Sequence, residues 1–391
     1  MARADLEAIW RAGVAACLPE RVVPGHLPEP PRGRTILLAP GKAAVGMACA
    51  VERCWERPLE GLAVAPHGSP GGLERVALVT AGHPLPDAAS VAAAARMLAL
   101  AQEAGPEDLV LVLLSGGASA LACLPGEGLT LEEKRRVTRG LIRCGAPIGE
   151  VNAVRRHLSR FKGGRLALAA APARLVTLAI SDVMGDRPED IGSGPTVADA
   201  TDVAAAKAIL ERYGIEPPAV GWSETRASVA GEYRLVARGR DALDAAAAKA
   251  RALGWRPEIF ECEGEAREMG ADHARRALAA APGTALISGG ELTVTVHGPG
   301  RGGPNQEYAL AAARVLAGRA GLEGLAADTD GLDGTGGAAG AFFDGATAAP
   351  GDEAALAAND SGAFLEARGA LFTTGPTGTN VNDLRVILVS S

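Results

Sequence analysis

Short aliphatic runs alternate with longer Ala-rich stretches that carry polar residues at helical spacing along most of the chain. Uninterrupted apolar runs suit strands buried on both faces, and strands separated by helices point to an α/β fold with mainly parallel sheets. Strands are predicted at 35–39, 61–65, 75–80, 108–114, 174–180, 233–236, 284–288, 292–297, 324–327 and 384–389. Helices are predicted at 42–55, 88–103, 131–144 and 305–317. The alternation breaks at GIEPPAVG (214–221), where tandem prolines stop the preceding helix and a new strand-helix run soon begins. With domains of roughly 100–200 residues as the usual size, two are expected, 1–225 and 226–391. Each is expected to hold a mainly parallel sheet flanked by helices, with an active-site cleft between the two.

Composition narrows the partners. The 391 residues are 48% hydrophobic but only 3% aromatic, and 51 are Gly, so the core is aliphatic and Ala-rich. A net charge of −7 leaves no basic excess for a polyanion such as nucleic acid to neutralise. No run reaches the ~18 apolar residues of a membrane span, and the N-terminus lacks a signal-like apolar segment, which predicts a cytoplasmic protein. Six Cys without a C-x-x-C pair suggest reduced thiols, not a zinc site or a disulfide framework. A homodimer is compatible with the sequence. Of 39 basic residues only Lys42, Lys134, Lys162, Lys207 and Lys249 are lysines, which makes each worth placing.

Several strand exits carry chemistry. LVLLSGGASAL runs a strand into Ser115, Gly116, Gly117, Ala118 and Ser119, either a phosphate cradle opening a helix or a plain tight turn and cap. ALISGGE repeats the motif at Ser288. The segment LLAPGKAA places Lys42 at the first turn of a helix, where its charge opposes the helix dipole unless an anion is present. The spacing is not that of a Walker loop, and the nearest dinucleotide fingerprint, GTGGAAG from Gly334, has Ala at its last required position. NAVRRHLSRFKGG gathers Arg155, Arg156, Arg160 and Lys162, read as one short helix with Arg155 and Lys162 on one face, while His157 there suits capping or packing as well as catalysis. SDVMGDRPEDIGSGPT (181–196) packs four carboxylates among glycines with no Lys to offset them, and DTDGLDG (328–334) is a second acidic loop. Closely spaced carboxylates ask for a cation or donors. Backbone donors, metal-suited carboxylates, a fixed cation and groups to orient an acceptor are the parts that phosphoryl transfer needs.

The segments GHPLPDAAS, LLSGGASAL, NAVRRHLSRFKGGRLA, SDVMGDRPEDIGSGPT, SGGELTV, GGPNQEYALA, ADTDGLDGTGGAAGA and TGPTGTNVNDLRVIL, in this order, resemble the glycerate 2-kinase family whose C-terminal part is the MOFRL domain. The resemblance implies transfer of phosphate from ATP, with Mg²⁺, to the 2-hydroxyl of D-glycerate. It implies Lys42 as the catalytic cation, with Asp182 and Arg155 also catalytic. Ser115, Gly116, Gly117, Ser119, Asn152, Gly192 and Ser193 are expected at the nucleotide, and His83, Arg155 and Lys162 at the substrate. Asp182, Asp186 and Asp330 are expected at the metal. Where many relatives read GGRNQE this chain has Pro304, and Arg301 is the cation that could compensate. Members of the family have also been labelled hydroxypyruvate reductases, so an NAD(P)H-dependent reductase is the alternative, and a non-catalytic sugar-acid binding protein a third reading.

Overall fold

The computed structural model describes residues 2–390. The chain divides into two compact units, one of Pro19–Ala237 and one of Met1–Leu18 with Arg238–Ser391.

The Pro19–Ala237 unit is built on β1 (Thr35–Pro40), β2 (Leu59–Pro66), β3 (Ala77–Ala81), β4 (Leu109–Leu114), β5 (Arg174–Ile180) and β6 (Glu232–Ala237). Their order is β3-β2-β1-β4-β5-β6, and every pair is parallel. β1 and β4 are buried along their whole lengths, which explains their unbroken apolar sequences. One face packs Ile36, Leu38, Val110, Val112 and Leu114 against Ala94 and Met97 of the helix Ala88–Gln102. The chain runs outward from β1 to β3, then returns to lay β4 on β1's other side. That reversal leaves a crevice beyond the carboxyl ends of β1 and β4, where open α/β sheets bind ligands.

The other unit holds β7 (Arg256–Glu261), β8 (Gly264–Glu265), β9 (Thr284–Gly290), β10 (Leu292–Thr293), β11 (Leu322–Asp328), β12 (Gly340–Asp344), β13 (Leu371–Phe372) and β14 (Asp383–Val389). Six of them form a sheet of order β13-β12-β11-β14-β9-β7, and β8 pairs with β10. Contrary to the expected parallel arrangement, only β7 and β9 run parallel in the six-stranded sheet; its other four pairs are antiparallel. The link from β11 to β12 contains no helix, whereas a parallel crossover needs a dozen or more residues.

The expected cut at 225 is also corrected. β6 lies beyond it and completes the first sheet by pairing with β5. The helix Ala2–Ala16 belongs to the other unit, where Leu6, Ile9, Trp10 and Val14 cover Leu325, Leu384 and Val386 on the sheet. Trp10 Nε1 donates to Ala327 O at 3.4 Å. Nothing in the local sequence announces a contact more than 300 residues away.

Candidate active site

Two turns meet at the crevice. Lys42 N–H donates to Gly116 O at 2.8 Å, and Ala43 N–H donates to Ser115 Oγ at 3.0 Å. Gly41 has φ +147, and a Cβ there would lie 2.0 Å from Ser115 Oγ, so only glycine lets the β1 exit pass so close to the β4 exit. On Gly117 a Cβ would lie 3.0 Å from His83 Nε2 and 3.3 Å from Lys42 Cγ, which brings Lys42, His83 and the glycine turn together. Three predicted site residues from three strand exits thus converge. Lys42 lies two residues before the helix Ala44–Cys54, not within its first turn. Ala118–Leu121 is a single helical turn, too short for the dipole effect expected of it.

Ser115 is fully buried and its hydroxyl oxygen accepts from Ala43 N–H, which ties the β4 exit to the β1 exit. Ser119, Ser193 and Asn152 form a relay. Ser119 Oγ and Ser193 Oγ lie 2.7 Å apart, and Ser193 Oγ donates to Asn152 Oδ1 at 3.0 Å. Asn152 Nδ2 donates to Asp190 Oδ1 at 3.1 Å, a partner that sequence reasoning missed. Arg155 Nη1 donates to the same Asn152 Oδ1 at 3.2 Å. Its guanidinium meets no carboxylate among the described residues. Neighbouring Arg156 is neutralised by Asp199 at 3.0 Å and Asp190 at 3.7 Å. Of the adjacent pair, Arg155 is therefore the one left for an outside anion.

The helix carrying Arg155 is Ile148–His157, so Lys162 does not share its face as predicted. Lys162 is instead buried in the following turn, its Nζ donating to Ala122 O at 3.1 Å and Gly192 O at 3.4 Å. Gly163 N–H and Gly164 N–H take Ser193 O and Gly194 O at 3.2 and 2.8 Å. The segment KGG therefore holds all three carbonyls of the 192–194 turn, whose residues have φ 61, 60 and 59. Lys162 and Ser193 are both 0% exposed, which places them behind the crevice surface. His157 is likewise buried, its Nδ1 facing Ser223 O and its Nε2 facing Thr201 Oγ1, each at 3.0 Å. Lys134, also missed, sits on the buried stripe of its helix with Val137 and Leu141; a scarce Lys in that register was the available signal.

Asp182 and Asp186 lie on the loop leaving β5, on the carboxyl-end side of the same sheet, with Asp186 at φ 53. Among the described residues no three His, Cys, Asp or Glu side chains are grouped to hold a metal ion by themselves. A pair of carboxylates alone suits Mg²⁺, which keeps several waters and takes its remaining ligands from a bound substrate. In the other unit, Asp330 Oδ1 accepts Leu332 N–H at 2.8 Å, closing its own loop. Asp333, 2% exposed, accepts from Asn305 N–H at 3.0 Å and Gln306 N–H at 2.9 Å. It caps the helix Pro304–Leu316, where Pro304 fits the first position. Arg301 is ion-paired with Glu366 on the surface, so it is already engaged. The second SGG is no twin of the first: Ser288, Gly289 and Gly290 remain within β9, and Arg385 Nη2 donates to Gly290 O at 3.0 Å.

The six-stranded parallel unit is an α/β sheet with a crevice at its order reversal, where Lys42, His83 and the Gly116–Gly117 turn meet. Residues 5–222 match the domain of unknown function DUF4147, and residues 284–383 match the MOFRL family. The chain belongs to this DUF4147/MOFRL family. It is 40% identical to the D-glycerate 2-kinase of Thermotoga maritima, covering 97% of both chains. A protein of Agrobacterium vitis named for hydroxypyruvate reductase activity is 45% identical, covering 99% of this chain and 94% of its own. The crystal structure of a Thermotoga maritima glycerate kinase superposes with a TM-score of 0.87 at 39% identity over 97% of each chain.

Proposed function

We propose that this protein is an ATP-dependent D-glycerate 2-kinase. The observation that carries the reading is the convergence of Lys42, His83 and the Gly116–Gly117 turn at the sheet's order reversal, with Arg155 lacking a protein counter-ion. The 2-hydroxyl oxygen of glycerate forms a bond to the γ-phosphorus as the bond to the ADP oxygen breaks. The Lys42 ammonium stabilises the charge on the moving phosphoryl group, and Asp182 accepts the hydroxyl proton. Arg155 holds the substrate carboxylate through its planar fork, its orientation set by Asn152, with His83 beside it. The main chain of Gly116 and Gly117 faces the nucleotide phosphates. Asp182 and Asp186 would hold Mg²⁺, which supplies charge neutralisation on the phosphates. Among the described residues no helix is long and apolar enough to cross a membrane, and none of the six cysteines forms a disulfide, which supports a cytoplasmic setting.

The reductase reading meets a specific obstacle. The strand order is the dinucleotide-binding one, but the first turn reads PGKAAVG instead of a G-x-G-x-x-G sequence. β2 ends in Ala65 and Pro66 where a ribose-binding acid would stand. The test is incubation with D-glycerate, ATP and Mg²⁺, followed by enolase alone, which consumes 2-phosphoglycerate but not its 3-isomer. No enolase-competent product would remove the proposal, and NADH oxidation with hydroxypyruvate would install the rival.

A further inference from the structure

Lys134, Lys162 and Arg155 have no carboxylate partner among the described residues, and of the three Lys162 lies directly behind the turns. Lys134 is 4% exposed, and its Nζ donates to Leu158 O and, at 3.1 Å, to Arg155 O. Lys162 is fully buried on Ala122 O and Gly192 O, two carbonyls that close the glycine-turn segment and the 192–194 turn respectively. Arg155 joins Lys134 through its own backbone carbonyl, while its side chain donates to Asn152. The charged or titratable groups near enough to act on Lys162 are Lys134, Arg155 and the buried Cys123 thiol; none is a carboxylate.

Taking an ammonium out of water is costly unless it is paired, and carbonyl dipoles offset only part of that cost. A neutral amine retains two hydrogens, enough for both carbonyls of Lys162, so the geometry does not require the charge. Burial, reinforced by the neighbouring cations, brings Lys162 down to about 7, and burial brings Lys134 down to about 8. The free protein can thus keep the floor partly uncharged without altering the turns.

We propose that Lys162 and Lys134 form a buried cationic floor whose counter-charge is the phosphate-bearing ligand, so that nucleotide binding draws a proton from solvent onto a lysine amine. The inference rests on the kinase reading for the identity of the ligand. Only a proton moves: the Nζ lone pair takes it up, and no bond of the nucleotide breaks.

Calorimetric titration of the full chain with ATP and Mg²⁺ at pH 8, in buffers of different ionisation enthalpy, measures the protons exchanged. A phosphate's own second ionisation, near about pH 6, is then essentially complete. The expected result is uptake of roughly one proton by the native chain and less than half of that by Lys162→Met. Lys162→Met leaves Ala122 O and Gly192 O without their donor, so it should melt lower than the native chain, and its proton uptake is read at a temperature where it stays folded. Lys134→Met must reduce the uptake as well, and carries the test if Lys162→Met does not fold. Binding without uptake, or uptake unchanged in either folded variant, overturns the floor alone. Uptake on binding inorganic phosphate, with no binding of ATP, overturns the kinase reading and leaves the floor standing. Binding of neither overturns both.

Discussion

Gly41→Ala adds one methyl group at the point where the β1 and β4 exits touch. The new Cβ would lie 2.0 Å from Ser115 Oγ and 2.9 Å from Ser115 O. Neither neighbour yields easily. Ser115 is fully buried with its hydroxyl on Ala43 N–H, and Gly41 N–H is itself held by Val64 O at 3.0 Å. Overpacking of this kind costs about 1–3 kcal/mol, and holding a residue with a Cβ at φ +147 adds a similar amount. The expected loss of stability is therefore roughly 2–6 kcal/mol. Because Lys42 N–H is bonded to Gly116 O, relief by moving either turn displaces Lys42, and a shift of about 1 Å can cost a hundredfold in turnover. Gly68→Ala is the control: it has φ +82 but nothing within 4 Å of its added Cβ, so only the backbone term remains, about 1–2 kcal/mol. Parallel urea unfolding of both variants, read with glycerate-dependent ADP release, separates packing from backbone effects without assuming two-state unfolding of a two-unit chain. If Gly41→Ala is no less stable than Gly68→Ala and turns over within twofold of the native chain, the close approach does not govern the site.

Lys42→Ala should lower kcat by about 100- to 1,000-fold while leaving the unfolding transition nearly unchanged; normal turnover would remove its electrostatic role. Arg155→Lys, which keeps the charge but loses the planar fork, should raise the glycerate KM roughly tenfold or more with a smaller change in the ATP KM, and equal changes in both would count against a carboxylate contact. Asp333 is pushed up to about 7 by burial, aided by the charge of Asp383 and opposed by its Asn305 and Gln306 donors. A raised carboxyl contributes stability that is full below the ordinary carboxylate range, near about 4, and is lost as pH rises through about 7. The stability gap between the native chain and Asp333→Asn should narrow from pH 5 to pH 8 in urea unfolding, and a gap that is flat or widens would contradict that shift.

The first sheet was legible because its strands are buried on both faces. LVLVLL at β4 has no other economical fold, and the close of β5 at Ile180 correctly marks where the acidic loop starts. β7, RPEIFE, was missed because it alternates half-buried and exposed positions at a sheet edge and carries charges at both ends. β12, GAFFD, follows a glycine-rich loop and spans five residues, while β13 has only two. In the site, residue types tied to local backbone geometry were readable: Gly41 beside Lys42, and the Gly116–Gly117 turn. What sequence could not separate was a polar group facing the ligand from one facing another loop. Ser193 and Asn152 were expected at the nucleotide, yet they bond each other across 41 positions.

That separation has a physical basis. A turn packed behind the crevice must hide its carbonyls, and hidden carbonyls need donors. In the 192–194 turn those donors are Lys162 and the N–H groups of Gly163 and Gly164. Two glycines there, at φ 59 and 77, let the chain present consecutive N–H groups to the turn, while the lysine reaches both it and Ala122. A cation is a costly way to satisfy two carbonyls, since a neutral side-chain donor could bond to them without desolvating a charge. The use of two scarce lysines for that work, beside an arginine also lacking a carboxylate, is best understood if the field they create matters at the crevice surface. Residues that never touch the ligand can then set its affinity through charge while setting the shape of the turns through hydrogen bonds.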